Sequence, residues 1–145
     1  MTRSILVHRV PFYETDAMGI VHHANYVRWL ELARIVWMDE HDRPYREWME
    51  QGFHFATTRV EVGYRRAAVF DDRVAVAVWL EWVAGASLAM VYEIDRAGER
   101  IATALTEHAL VGTDGRPRRL PPEHRARLAA LARTPGRQRE SRRAK

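Results

Sequence analysis

From Ala24 to Glu40 the chain reads ANYVRWLELARIVWMDE, a helical stretch whose apolar side chains leave in nearly every direction. Tyr26, Val27, Trp29, Leu30, Leu32, Ala33, Val36 and Trp37 take most of the circumference. Arg28, Glu31 and Arg34, three residues apart, share one narrow stripe on which their charges can pair. A helix apolar on almost all sides has to be buried. A chain of 145 residues makes one domain of ordinary size. The rest of the chain must therefore wrap this helix.

The wrapping material is legible in a change of period. SILVHRVPF before the helix, and ATTRVEVGY, RVAVAVWLEWV, SLAMVYEID and ERIATALTEHALV after it, read as strands. Turn residues at Gly85, at Asp95 to Gly98 and at Asp114-Gly115 separate the later ones and predict antiparallel hairpins. In RVAVAVWLEW, strict alternation puts Val74, Val76, Val78, Leu80 and Trp82 on one face and Ala75, Ala77 and Trp79 on the other. The bulky face suits the helix, and the slim one suits close approach by another layer such as a second subunit. PYREWMEQG predicts a short second helix, with Pro44 near its start and Gly52 as its stop. GRPRRLP leads into a closing helix. The expected architecture is α+β: a curved antiparallel sheet of about five strands around one long central helix.

Charge and composition exclude several function classes. From Gly115 onward there are eleven basic and two acidic residues, leaving twelve basic and seventeen acidic before it. The overall charge of +4 is thus a property of the C-terminal segment, and the body offers no basic face for nucleic acid. PGRQRESRRAK has almost no apolar residues to offset its ordering entropy, so residues 1–134 are read as the domain and 135–145 as a basic, disordered tail. The rival reading of the tail's arginines is contact with phosphates. No cysteine is present, which removes disulfides, thiolate zinc sites and a cysteine nucleophile. The apolar run in MTRSILVHRV is too short for a signal peptide, and no segment is long enough to span a bilayer. Cytoplasm is the expected compartment, with no membrane partner.

The residues that carry chemistry precede the central helix. YETDAMGIVHHANY places Asp16 on a loop, Gly19 where a tight turn is needed, and His22 and His23 at the helix start. With Phe12-Tyr13, Thr15-Asp16, Gly19, Val21-His22-His23-Ala24-Asn25-Tyr26, and Glu31 with Ala33-Arg34 following, the sequence resembles the hotdog-fold acyl-CoA thioesterases of the hydroxybenzoyl-CoA thioesterase-like family. Tyr64 with Asp72, Ser87, Thr106-Glu107-His108 and GRPRRLP agree with it, so the resemblance spans about Ile5 to Leu131. Ala67 departs from it where many relatives have proline, which touches only local loop shape. The resemblance implies a hotdog fold and a homo-oligomer, dimer or tetramer, with its site where subunits meet. It also implies hydrolysis of an acyl-CoA or acyl carrier protein thioester without metal or redox cofactor. It makes Asp16 the catalytic carboxylate, nucleophile or general base, puts His23 beside the thioester, and has Asn25 hold the loop.

Elementary chemistry gives these residues matching duties and plainer rivals. Thioester hydrolysis needs stabilisation of a developing oxyanion, and the first turn of a buried helix, at His23, Ala24, Asn25 and Tyr26, offers unpaired backbone N–H groups and a positive dipole end. Asp16 could instead be a turn or capping residue. His23 could be structural, since the helix start supplies donors without it. Adjacent histidines seldom both reach one ion and no HExxH pattern occurs, so no metal is expected. Glu31 is a rival carboxylate, but eight residues beyond His23 it lies roughly 12 Å along the helix axis at ~1.5 Å per residue. A structural pair with Arg28 or Arg34 is its expected role. His54 and His108 read as core or interface residues. Tyr64, Arg65 and Arg66 either flank a ligand channel or merely end a strand. Two other functions fit the fold: a noncatalytic acyl-thioester binding protein, and a hydratase or dehydratase acting on acyl thioesters.

Overall fold

The structure, a computed structural model, describes residues 2–135. Strand β1 (Arg3–Arg9) is followed by a 3-10 turn (Phe12–Glu14), helix α1 (Ala24–His41), helix α2 (Tyr45–Glu50), strands β2 (His54–Tyr64), β3 (Arg73–Val83), β4 (Ser87–Arg96) and β5 (Glu99–Val111), and helix α3 (Pro122–Leu131). The strands form one antiparallel sheet in the order β1-β3-β4-β5-β2. Consecutive strands β3, β4 and β5 are joined by short turns, whereas β1 and β2 are the two edges. This is the hotdog arrangement that the family resemblance implies. Among the described residues no helix is long and apolar enough to cross a membrane. Residues 136–145, most of the expected tail, lie outside the described residues.

Register places the core on one face of the sheet. Val74, Val76, Val78 and Leu80 of β3 pair in turn with Arg96, Ile94, Tyr92 and Met90 of β4, and all of these but Arg96 are buried against α1. From the helix come Tyr26, Trp29, Leu30, Ala33, Trp37 and Met38. Each buried indole removes roughly 200 Å² from water and contributes about 5 kcal/mol of gross stabilisation, which is why the tryptophans anchor the layer. Strict alternation fails at the end of β3. A bulge between Leu80 and Trp82 shifts the phase, so Val83 takes the buried position expected of Trp82, and Trp82 is only half-buried. On the other face Trp79 is buried as well, beside Leu131, Ala132 and Arg133. The backbone N–H groups of Arg133 and Thr134 donate to the Leu80 and Glu81 carbonyls, continuing the edge where β1 stops.

The central helix, which its composition predicts to be covered all round, is not so covered by the single chain. It packs mainly on β1 and β3 and only lightly on β2. Val27 and Leu32 stay 39% and 49% exposed. A single five-stranded sheet curls far enough to cover one flank of α1 and leaves the other open beside β2. The inward side chains of β2 are Phe55, Thr57, Val60, Val62 and Tyr64; the step from odd to even numbers follows a bulge between Thr57 and Arg59. Of these Thr57, Val60 and Tyr64 remain exposed, so α1 and β2 bound an open trough on the inner face of the sheet.

Candidate active site

The loop ahead of α1 is a four-residue turn closed by its own backbone. Thr15 and Val21 form an isolated antiparallel bridge, the Asp16 N–H donates to the Ile20 carbonyl, and the Gly19 N–H donates to the Asp16 carbonyl. Gly19 has φ +76°, a conformation that residues with a Cβ seldom adopt, although nothing crowds the position. The Met18 N–H also donates to Asp16 Oδ1 at 2.8 Å. Asp16 therefore does cap its own turn, as its plainer reading has it. Oδ2 has no hydrogen-bond partner among the described residues. Both roles fit one carboxylate, because the turn uses a single oxygen.

A residue that sequence reasoning missed anchors this loop from below. Glu14 is buried, 5% exposed, inside the motif itself. Its carboxylate accepts from Trp29 Nε1 through both oxygens, each at 3.1 Å, and Oε1 lies 2.6 Å from His8 Nε2. Its backbone carbonyl accepts from Asn25 Nδ2 at 2.9 Å and from the His22 N–H at 2.8 Å. Strand β1, the loop and α1 are thus tied at one point. A glutamate between an exposed tyrosine and a threonine carries no periodic signal, and its partners lie six and fifteen residues away.

A cleft of about 250 Å³ opens beside the loop, lined by Asp16, Met18, Ile20, Val21, His23, Tyr26, Tyr64, Arg65, Arg66 and Ala67. The fold brings Asp16, His23 and Tyr26 together with the end of β2, more than thirty residues later in the chain. Tyr64 Oη donates to the His23 carbonyl at 2.9 Å, and its ring meets Tyr26 edge-on with centroids 4.9 Å apart. Burial pushes both phenol pKa values up, so both hydroxyls stay protonated at neutral pH. Arg65 and Arg66 are exposed at the mouth, where Arg66 also pairs with Glu99. Ala24 and Asn25 do not line the cleft; Asn25 is buried behind it.

The donors of the helix start are less open than the expectation of unpaired N–H groups. The Asn25 N–H donates to the His22 carbonyl and the Tyr26 N–H to the His23 carbonyl, because His23 itself is already helical. The Ala24 N–H donates to His22 Nδ1 at 3.1 Å, a side-chain partner on an exposed ring stacked on His23. Glu31 is outside the cleft and pairs with neither Arg28 nor Arg34. Arg34, expected to share a polar stripe with Arg28 and Glu31, is instead turned inward and buried against His108. His108 is fully buried, and His54 is half-buried.

Residues 10–128, most of the chain, match the family model described as the thioesterase-like superfamily. The chain belongs to this superfamily. It is 33% identical over 103 residues to a putative esterase of Aquifex aeolicus, covering 71% of this chain and 80% of that one. It is 29% identical over 103 residues to YneP of Bacillus subtilis, described as a putative acyl-CoA thioesterase, covering 70% of this chain and 75% of the relative. A crystal structure described as a DHNA-CoA thioesterase from Staphylococcus aureus superposes with a TM-score of 0.85 at 29% identity, over 90% of this chain and 93% of that one. The matched residues span both the loop of Asp16 and the end of β2.

Proposed function

We propose that this protein is a thioesterase that hydrolyses an acyl-CoA, with Asp16 as its catalytic carboxylate. The observation that carries the reading is the meeting of Asp16, His23, Tyr64 and the start of α1 at one cleft. As a general base, Asp16 takes a proton from water as the water oxygen attacks the thioester carbonyl carbon. The tetrahedral intermediate then collapses, the C–S bond breaks, and the proton passes from Asp16 to the leaving thiolate. As a nucleophile, Asp16 would first form an acyl anhydride with release of the thiol, and water would then hydrolyse it. Oδ2 is the oxygen available for either course, since Oδ1 holds the Met18 N–H.

The developing oxyanion is assigned to the Ala24 N–H at the positive end of the α1 dipole. His22 Nδ1 accepts from that donor, and rotation of its exposed ring frees it for the carbonyl oxygen. His23 orients the carbonyl or water beside it. The guanidinium groups of Arg65 and Arg66 at the mouth suit the phosphates of coenzyme A. An acyl carrier protein thioester, with one phosphate on its arm, is the other candidate substrate. The open flank of α1 and the unpaired edge of β2 suit a second copy of the chain, which would close the trough and complete the site. Stoichiometric free thiol released from a panel of acyl-CoA and acyl carrier protein thioesters, and lost in Asp16→Asn, is the expected result. Binding without thiol release would point to a noncatalytic binder. Change in the acyl chain without thiol release would point to a hydratase or dehydratase.

A further inference from the structure

Beyond the Asp16 cleft, the same trough leads to a second groove, of about 160 Å³, lined by Val27, Arg28, Leu30, Glu31, Arg34, Thr57, Val60 and Thr106. On α1 the positions His23, Val27, Leu30 and Arg34 form one stripe, at spacings of four, three and four residues. On β2 the inward residues Tyr64, Val60 and Thr57 follow the same direction. A thioester held at the start of α1 therefore sends its acyl group between Val27, Leu30 and Val60 toward Arg34. The walls of that path are apolar and its end is not.

Arg34 is the anomaly at that end. Its side chain is 8% exposed, yet it forms no ion pair with a carboxylate among the described residues, and its buried Nε has no hydrogen-bond partner. Its Nη1 lies 3.2 and 3.0 Å from the two ring nitrogens of His108, only one of which can accept in the neutral ring. The rest of the floor is also neutral: Thr57 Oγ1 at 3.2 Å from His108 Nδ1, Thr106 Oγ1 at 2.8 Å from Nε2, and Tyr92 Oη at 2.7 Å from Thr106. Burial and the adjacent guanidinium lower the His108 pKa to about 3, so the ring adds no charge of its own. A desolvated cation without a counter-ion is costly and gains strongly from an anion. At the rim Glu31 opposes an incoming anion and Arg28 favours it. The groove as a whole thus presents two guanidinium groups against one carboxylate.

We propose that Arg34, with Thr57 and Thr106 beside it, reads the far end of the acyl group and selects thioesters whose acyl chain ends in a carboxylate. This rests on the thioesterase reading for the position of the near end. Ten residues separate Ala24 from Arg34, about 15 Å along the axis. Helical side chains lean toward the N-terminus, which shortens the gap that the acyl chain must span to roughly 10 Å. At ~1.2 Å per bond of an extended chain, eight to ten carbons bridge it.

The test compares decanoyl-CoA with the mono-CoA thioester of decanedioic acid, on the full chain. The expected kcat/KM is at least ~10-fold higher for the carboxylate-ended substrate, as a charge-assisted hydrogen bond to a buried guanidinium requires. Arg34→Met and Thr57→Val should each shrink that ratio, and the exposed Thr57 keeps the test available if Arg34→Met does not fold. The same pair made as hydrolysis-resistant thioethers is measured by calorimetry. If neither thioester releases thiol but the carboxylate-ended thioether still binds ~10-fold tighter, the thioesterase reading fails and the Arg34 assignment stands. A wild-type ratio near one, or a preference for decanoyl-CoA, overturns the assignment. It would leave a carboxylate of a second copy as the counter-ion of Arg34.

Discussion

Replacing Glu14 by alanine tests whether the loop of Asp16 is held from below. The substitution leaves Trp29 Nε1 without an acceptor in a fully buried residue, which costs about 1–3 kcal/mol. It also removes one buried methylene, about 0.8 kcal/mol. His8 is 19% exposed at its side chain, so it can turn to water and adds little. Relief of carboxylate desolvation offsets part of the sum. The net expectation is a loss of roughly 1.5–3 kcal/mol, a large share of the ~5–15 kcal/mol of a typical domain. At ~2–4 °C per kcal/mol for a chain of this size class, the thermal midpoint should fall by about 3–12 °C. Urea denaturation of wild type, Glu14→Ala and Glu14→Gln gives the free energies directly. The glutamine, which keeps the volume and one acceptor, should lose less than half as much. Pairing Glu14→Leu with Trp29→Phe removes acceptor and donor together and should recover part of the loss. An alanine variant within ~1 kcal/mol of wild type, at unchanged m-value, would refute the claim that this carboxylate anchors the loop.

Asp16→Asn should lower thioester hydrolysis by at least ~100-fold with folding intact, His23→Ala should lose less, and Glu31→Gln least; steady-state thiol release ranks them, and a reversed order would move the catalytic carboxylate onto the helix. The buried His108 makes stability pH-dependent in a defined direction. Its pKa of about 3 in the fold lies below the ordinary 6.5, so the unfolded chain takes up the proton first as pH falls. Stability due to this group is whole above pH ~6.5 and declines toward pH 3 by about 1.4 kcal/mol per unit. Burial lowers the His124 pKa as well, so His108→Gln should reduce the slope measured by denaturation between pH 6 and 5 without abolishing it. Sedimentation at assay concentration should find a dimer or larger, and a fully active monomer would remove the second copy from the site. Tyr64→Phe, which loses only the bond to the His23 carbonyl, should cost a few-fold in kcat/KM and leave assembly unchanged.

Much of this protein is local enough to be read from its residues in order. The apolar circumference of Ala24 to Glu40, the period-two runs after it, and the turn residues between them led to the sheet around a helix, because each signal is carried by neighbours within one or two turns. The turn ahead of the helix was legible for the same reason: Asp16, Gly19 and the helix start fall within nine residues. Tertiary structure decided what depends on phase and curvature. A bulge after Leu80 moved Trp82 off the core, and one after Thr57 brought Thr57 and Val60 to the same face. A one-residue slip in a strand reverses every later side chain, and no residue type announces it. Curvature left one flank of α1 open, so the stripe of Arg28, Glu31 and Arg34 divided into an exposed rim and a buried cation. Glu14 and His108 acquired their partners only through contacts from distant parts of the chain, since the desolvation that makes a carboxylate or an imidazole matter exists only once the layers have closed over it.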